Sequence, residues 1–343
     1  MKTTATATTK KTTAKKTTTK KTTTKAKKPV TKVENVEISE NEIEISNADK
    51  KSVKEIVTDK ILARMEKGEI PWTKPWFSYA QNFTTKKNYS FLNQLLLDKS
   101  GYFLSFKQIT AKGGKVKKGS KAHMVTFYKM LHIKEQDETT GEETVKTIPM
   151  LRYYNVFHQD DIEGIKFPKR NSKGKLKKPQ EIVTTYLNRE NIPLKSFSVL
   201  GTAGYVPSED RIEMPDITMF DTSEHYYASL FHEMVHSTLK KERCDREHGK
   251  KFGDEKYSKE ELIAEIGSAI LCSMAGIDSE KLIDNSSAYL QNWLKHLKGD
   301  KSMLISAAGK AEKAVNYILT GKQYASEDKE TENENQNEER KAG

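Results

Sequence analysis

The chain has 343 residues, 59 Lys and Arg against 48 Asp and Glu, a net charge of +11 and 35% hydrophobic content. That length is enough for two ordinary domains. No apolar run reaches the roughly 18 residues of a membrane span, and the Thr- and Lys-rich N-terminus has no apolar leader segment. The only two cysteines, Cys244 and Cys272, give no disulfide framework, so a reducing, cytoplasmic setting without membrane contact is expected.

The charge is unevenly placed. Residues 1–32 hold 11 Lys and no acid in an imperfect Lys/Thr repeat, and residues 33–50 hold 6 acids and 1 Lys. Residues 1–50 are therefore expected to be a disordered basic tail followed by an acidic linker. A tail of this kind contacts nucleic-acid phosphates by charge alone. Residues 51–170 carry 22 Lys and Arg and 13 acids, whereas residues 171–325 hold 22 of each. The front half suits a polyanionic partner and the back half is neutral.

A first folded domain is expected over 51–165. Ile56, Ile61, Leu62 and Met65 recur at helical spacing, so 51–67 reads as a helix stopped by Gly68. PWTKPW at 71–76 cannot continue a helix and leaves Trp72 and Trp76 on an extended segment. Phe91 to Leu97 reads as a second helix. Val125 to Ile133 and Met150 to Phe157 are rich in aromatic and branched residues and read as hairpin strands. Residues 166–180 form a basic linker. A second domain over 181–322 opens with a helix from Ile182 to Asn191, then strands near Phe197 to Leu200, Gly204 to Val206 and 210–214. Helices follow at about 223–240, 257–275, 278–298 and 301–320. Residues 323–343 read as an acidic disordered tail. The fold class is α+β, in two domains.

The sharpest chemical signal is HEMVH at 232–236. A helix turns about 100° per residue, so His232 and His236 lie on one face, one turn apart. Two neutral imidazoles there hold one tetrahedral cation, and Glu233 stands beside the first to take a proton from water. Leu230, Phe231, Met234 and Val235 make the neighbourhood apolar, which argues against an ordinary surface helix. A catalytic zinc needs a third ligand. SKEELIAEIGSA at 258–269 offers Glu260, Glu261 and Glu265. Glu261 and Glu265 share a helix face, so one can bind Zn2+ while the other accepts the free N–H of a ligand histidine.

The first domain has its own chemistry. Single strands are held by positive charge plus aromatic faces on which bases stack. Trp72 and Trp76 supply aromatic faces, and the loop KGGKVKKGSK supplies Lys112, Lys115, Lys117, Lys118 and Lys121 among glycines that let backbone approach phosphate.

HEMVHST followed by YSKEELIAEIGSAILCSMAGI resembles the metallopeptidase domain of ArdC-type antirestriction proteins. AGYVPSEDRIEMPD (203–216) and residues 286–319 resemble it too. EIPWTKPW, NYSFLNQLLL, GGKVKKGSKAHMVTFYK and YYNVFHQDDIEG resemble the single-stranded-DNA-binding domain of the same proteins. The resemblance covers about residues 51–322. It implies a C-terminal zincin-like domain of the glutamate-ligand type, with Glu261 as third metal ligand and Glu265 as the supporting acid. In that pattern the second acid is commonly Asp. It also implies that the strand at 210–214 is an edge open to an extended peptide. The function implied is protection of a mobile element's DNA from restriction, with single-stranded DNA and a protein substrate as partners. Two alternatives remain: a non-proteolytic DNA-binding protein whose zinc is structural or dispensable, and a primase-accessory DNA-processing factor.

Overall fold

The structure, a computed structural model, describes residues 51–73, 80–136, 143–169, 178–198, 201–247, 255–278, 282 and 287–323. The expectations for residues 1–50, for Trp76, for most of the basic linker and for the acidic end lie outside the described residues.

Helix α1 (Val53–Met65) starts at Ser52, whose hydroxyl accepts the Glu55 N–H while the Glu55 carboxylate accepts the Ser52 N–H. This reciprocal cap satisfies two donors that a helix start leaves open. Pro71–Thr73 is a 3-10 turn, not an extended segment. Strand β1 (Ala80–Asn82) leads to α2 (Phe91–Leu97), which buries even Asn93 and Gln94. Strand β2 (Gly101–Ser105) runs into α3 (Phe106–Ala111), followed by the short β3 (Lys115–Val116). The long strands β4 (His123–Gln136) and β5 (Glu143–His158) form the expected hairpin, and β6 (Ile162–Glu163) pairs with β3.

The main sheet has the order β1-β2-β5-β4, so β4 is an edge. Asn93 covers part of that edge: its Oδ1 accepts the Thr126 N–H at 2.7 Å and its Nδ2 donates to the Thr126 carbonyl at 2.8 Å. A side-chain amide thus replaces a missing strand, which protects the open edge.

The second half begins with α4 (Pro179–Glu190), then β7 (Leu194–Phe197), β8 (Gly204–Val206) and β9 (Arg211–Pro215). Their order is β7-β9-β8. The strand expected as an edge at 210–214 is therefore central. It pairs parallel with β7 on one side and antiparallel with β8 on the other, with Ile212 and Met214 fully buried. The two edges beside it are β7 and β8. Four helices complete the fold: α5 (Ser223–Ser237), α6 (Glu255–Ala275), α7 (Ser287–Gly299) and α8 (Met303–Thr320). The class is α+β, as the mixed periodicities predicted.

The two halves share one hydrophobic core. Val57, Ile61, Trp72 and Leu95 belong to the same buried cluster as Tyr186, Phe231, Leu304 and Ile318. Polar bonds cross the seam as well. The Thr58 hydroxyl donates to the Lys301 carbonyl at 2.6 Å, and Glu312 of α8 accepts the Phe91 N–H at the start of α2, at 2.7 Å. No described helix is long and apolar enough to cross a membrane.

Candidate metal centre

Helix α5 is capped by Thr222, whose side chain accepts the His225 N–H. Its buried residues include Leu230, Phe231, Met234 and Val235, the apolar positions flanking the two histidines. Helix α6 comes very close to α5 at Gly267, where a Cβ would stand 2.7 Å from Val235 Cγ2. Any larger residue would push the two helices apart, and the acids of α6 would leave the histidines. The Ser268 hydroxyl adds a bond to the Ala228 carbonyl at 2.8 Å.

This close packing brings three donors together. His232 Nε2 and His236 Nε2 are 3.0 Å apart. Glu261 presents Oε2 at 3.4 Å from His232 Nε2 and Oε1 at 3.5 Å from His236 Nε2. Donor atoms of these three residues all lie within 4.8 Å of one another, the one such group among the described residues. Two imidazole nitrogens and one carboxylate, with no fourth protein donor in the group, fit a four-coordinate divalent cation that keeps one position open.

The surrounding charges also call for a cation. Burial alone would depress the His232 imidazole. The bond to Glu261 and the nearby Glu265 and Glu233 carboxylates outweigh burial and hold it up at about 9. With several carboxylates around two imidazoles, positive charge is needed there, either as a proton or as a metal ion.

Glu260 is a site residue whose role the sequence reading did not assign. It is 1% exposed, and its Oε1 lies 3.3 Å from His236 Nδ1. Arg246 grips the same carboxylate, donating to Oε1 at 2.6 Å and to Oε2 at 3.0 Å. Burial would raise the Glu260 carboxyl, but the Arg246 and His236 bonds hold it below the usual range. Glu260 thus fixes the imidazole so that Nε2 faces the other donors. The support of a histidine ring nitrogen, expected of Glu265, is given to His236 by Glu260. Glu265 is half-buried, burial pushes its carboxyl up, and its side chain bonds Tyr289. The available signal for Glu260 was Arg246, a cation within reach of a buried acid next to the ligand position.

Glu233 stands apart from the donor triad. Its Oε2 accepts the Tyr205 N–H from the edge of β8 at 2.7 Å. Tyr205 is itself anchored: its hydroxyl donates to Asp210 at 2.8 Å. The buried Arg243 holds Asp210 by two bonds of 2.7 and 2.8 Å. Burial opposes ionisation of Asp210, yet Arg243 and Lys240 hold its carboxyl down at about 2. Burial raises the Tyr257 phenol above its ordinary range, and the charge of Glu261, to which it bonds, adds to this.

The expected nucleic-acid residues divide. Lys112, Lys115, Lys117, Lys118 and Lys121 are all exposed. Lys117 Nζ donates to the Asp160 carbonyl at 2.7 Å, and Lys112 lies 5.6 Å from the Phe83 ring centroid. Trp72 is 0% exposed and meets Trp293 edge-to-face at 6.2 Å. A buried indole offers no face to a base, so Trp72 is a core residue, which corrects the expectation that it stacks.

An α+β fold whose paired histidines meet a glutamate of the next helix defines a zincin-like protein with an added N-terminal domain. The zincin-like metallopeptidase model matches residues 192–310, and the model of the N-terminal domain of anti-restriction factor ArdC matches residues 51–157. The chain belongs to the ArdC antirestriction family. The crystal structure of antirestriction ArdC from plasmid R388 in metal-free form is 34% identical with a TM-score of 0.61, covering 78% of this chain and 97% of that one. Its Mn(II)-bound form is 31% identical with a TM-score of 0.62, at the same coverage. The Escherichia coli DNA primase TraC is 28% identical over 314 residues, 82% of this chain but 28% of the primase. The chain thus spans about a quarter of the length of that curated relative. An uncharacterised protein of Sinorhizobium fredii is 27% identical over 282 residues, 77% of this chain and 90% of that protein.

Proposed function

We propose that the chain is a zinc-dependent peptidase that also binds single-stranded DNA and serves a mobile element as an antirestriction factor. The observation that carries the catalytic half is the meeting of His232, His236 and Glu261, with Glu233 next to the first histidine but bonded elsewhere. A structural zinc needs no carboxylate that stands beside its first ligand but outside the donor set. Zinc held by the three residues would polarise a peptide carbonyl and acidify a water. Glu233 would accept a proton from water at that site and return it to the leaving amine. The Tyr205 N–H holds the Glu233 carboxylate in place, and Glu260 holds His236. Tyr257, bonded to Glu261, borders the same donors.

Binding of single strands rests on the exposed lysines of 112–121 and on the likeness of residues 51–157 to the ArdC N-terminal domain. The likeness to part of primase TraC favours a second reading, a module of DNA processing in which hydrolysis is dispensable. Transfer of DNA into a restricting host separates the two. Under the peptidase reading, Glu233→Gln abolishes protection while metal content and DNA affinity stay at wild-type values. Full protection by that variant would leave the second reading standing.

A further inference from the structure

With Trp72 in the core, an aromatic surface for unpaired bases among the described residues must lie elsewhere, and the β4–β5 hairpin exposes the Phe127 ring. Phe127 is 39% exposed, whereas the exposed Tyr128 and Tyr153 belong to the opposite face of the hairpin. The register settles which residues share a face. Phe127 sits opposite Arg152, Val125 opposite Tyr154, and Lys129 opposite Met150. Side chains alternate along a strand and opposed residues point to the same side, so Phe127, Lys129, Arg152 and Tyr154 lie on one face.

That face starts in a small core of Phe103, Val125 and Val156, with Tyr154 packed against it. It then runs outward to Phe127, whose ring lies 5.7 Å from that of Tyr154. Phe127 is therefore braced from behind and open in front. Arg152 is exposed beside it and Lys129 half-exposed. Lys129 and Arg152, the charged neighbours of Phe127 on that face, are both positive, and a phosphate backbone is complementary to them.

We infer that the Phe127–Arg152–Tyr154 face of the β4–β5 hairpin is a stacking platform for the bases of a single-stranded nucleic acid, with Arg152 and Lys129 on its phosphates. This rests on the single-strand half of the proposed function and gives it a location the Lys112–Lys121 loop alone does not supply. Unpaired bases occur in DNA and RNA alike, and the test carries both.

The full-length protein is titrated with fluorescent oligo-dT, oligo-rU and a DNA duplex, by anisotropy, across a salt series. Phe127→Ala should weaken at least one of the two single strands about tenfold with the salt slope unchanged, because stacking is lost and charge is not. Arg152→Ala should weaken the same strand and flatten its slope by about 0.7. Phe127→Trp should keep the affinity, and its added indole emission should be quenched by that strand. Phe106→Ala, which removes a ring 63% exposed on α3, should leave affinity within about twofold. Thermal unfolding of each variant reports that the fold is intact, and Phe127→Trp keeps the test decisive if Phe127→Ala unfolds. Single-strand binding that ignores both Phe127→Ala and Arg152→Ala overturns the platform but leaves the proposed function. No single-strand binding by the wild type overturns both. If Phe127→Ala instead turns a dimer into a monomer at unchanged nucleic-acid affinity, the face is a protein interface and the platform is refuted.

Discussion

The main-chain N–H of Tyr205 lies 2.7 Å from Oε2 of Glu233, so the general base proposed for the site is held by the edge of a sheet rather than by the histidine pair. An amide oxygen accepts that N–H as well as a carboxylate does, but it cannot take a proton. Glu233→Gln should keep the local structure and about one metal per chain, and lose peptide hydrolysis by about 100-fold or more. Metal analysis and a casein-cleavage assay on the same preparations check this. Loss of the metal would mean that Glu233 is a ligand.

Glu260 and Arg246 form a buried pair, with side chains 1% and 5% exposed. Removing one member leaves the other charge unpaired in a dry environment. Arg246→Met should therefore cost about 3–5 kcal/mol in a denaturant melt. Glu260→Gln keeps the volume and an acceptor for His236 Nδ1, so its main effect should be on metal affinity, lower by about 10 to 100-fold in a chelator competition.

Much of the site was legible in the sequence because it lies on two helices with strong local signals. HEMVH fixed the face of α5, and the apolar spacing of Leu262, Ile263 and Ile266 placed Glu261 near it. Glu260 was not assigned because residues that share a helix face are three or four apart. The acid supporting His236 is instead the immediate neighbour of Glu261, turned about 100° towards Nδ1. The place of β9 was illegible for another reason. A strand of five residues with polar Arg211 and Glu213 alternating with Ile212 and Met214 looks half-exposed. Only its pairing with both β7 and β8 makes it central.

The seam between the halves was also hidden, because a basic linker suggests separable domains. Trp72 comes from the first half and Trp293 from the second, and both are buried. Trp72→Ala should destabilise the full chain by about 3–5 kcal/mol. Its single-strand affinity, measured on folded protein at low temperature, should stay near the wild-type value. A large affinity loss without a stability loss would restore Trp72 as a stacking residue.

Glu312 gives the seam a pH dependence. Burial pushes its carboxyl up to about 7 from its ordinary 4.5, although the Phe91 N–H partly offsets this. The folded state therefore binds the proton more tightly than the unfolded state. The resulting stability is present below about 4.5 and is lost as pH rises through about 7. Glu312→Gln keeps the bond from Phe91 and cannot ionise. It should match the wild type near pH 4.5 and exceed it by up to about 3 kcal/mol at pH 8, in urea melts at the two pH values. Equal stability at both would mean that water reaches the carboxylate.

The roles of Glu261 and Glu265 give the last prediction. Both lie on α6, but only Glu261 brings its oxygens to 3.4 and 3.5 Å from the two Nε2 atoms. Glu261→Gln should weaken metal binding by about 100-fold or more, and Glu265→Gln by no more than about tenfold. The free protein supplies an independent readout. His232 is held up at about 9, and the first of the carboxylates that raise it is Glu261. Below that pH the imidazole carries a proton that a metal must displace, so affinity should climb with pH and level off above about 9. In Glu261→Gln the His232 titration, followed by its ring-proton NMR signals without metal, should move to lower pH. If Glu265→Gln loses the metal while Glu261→Gln keeps it, the two assignments must be exchanged.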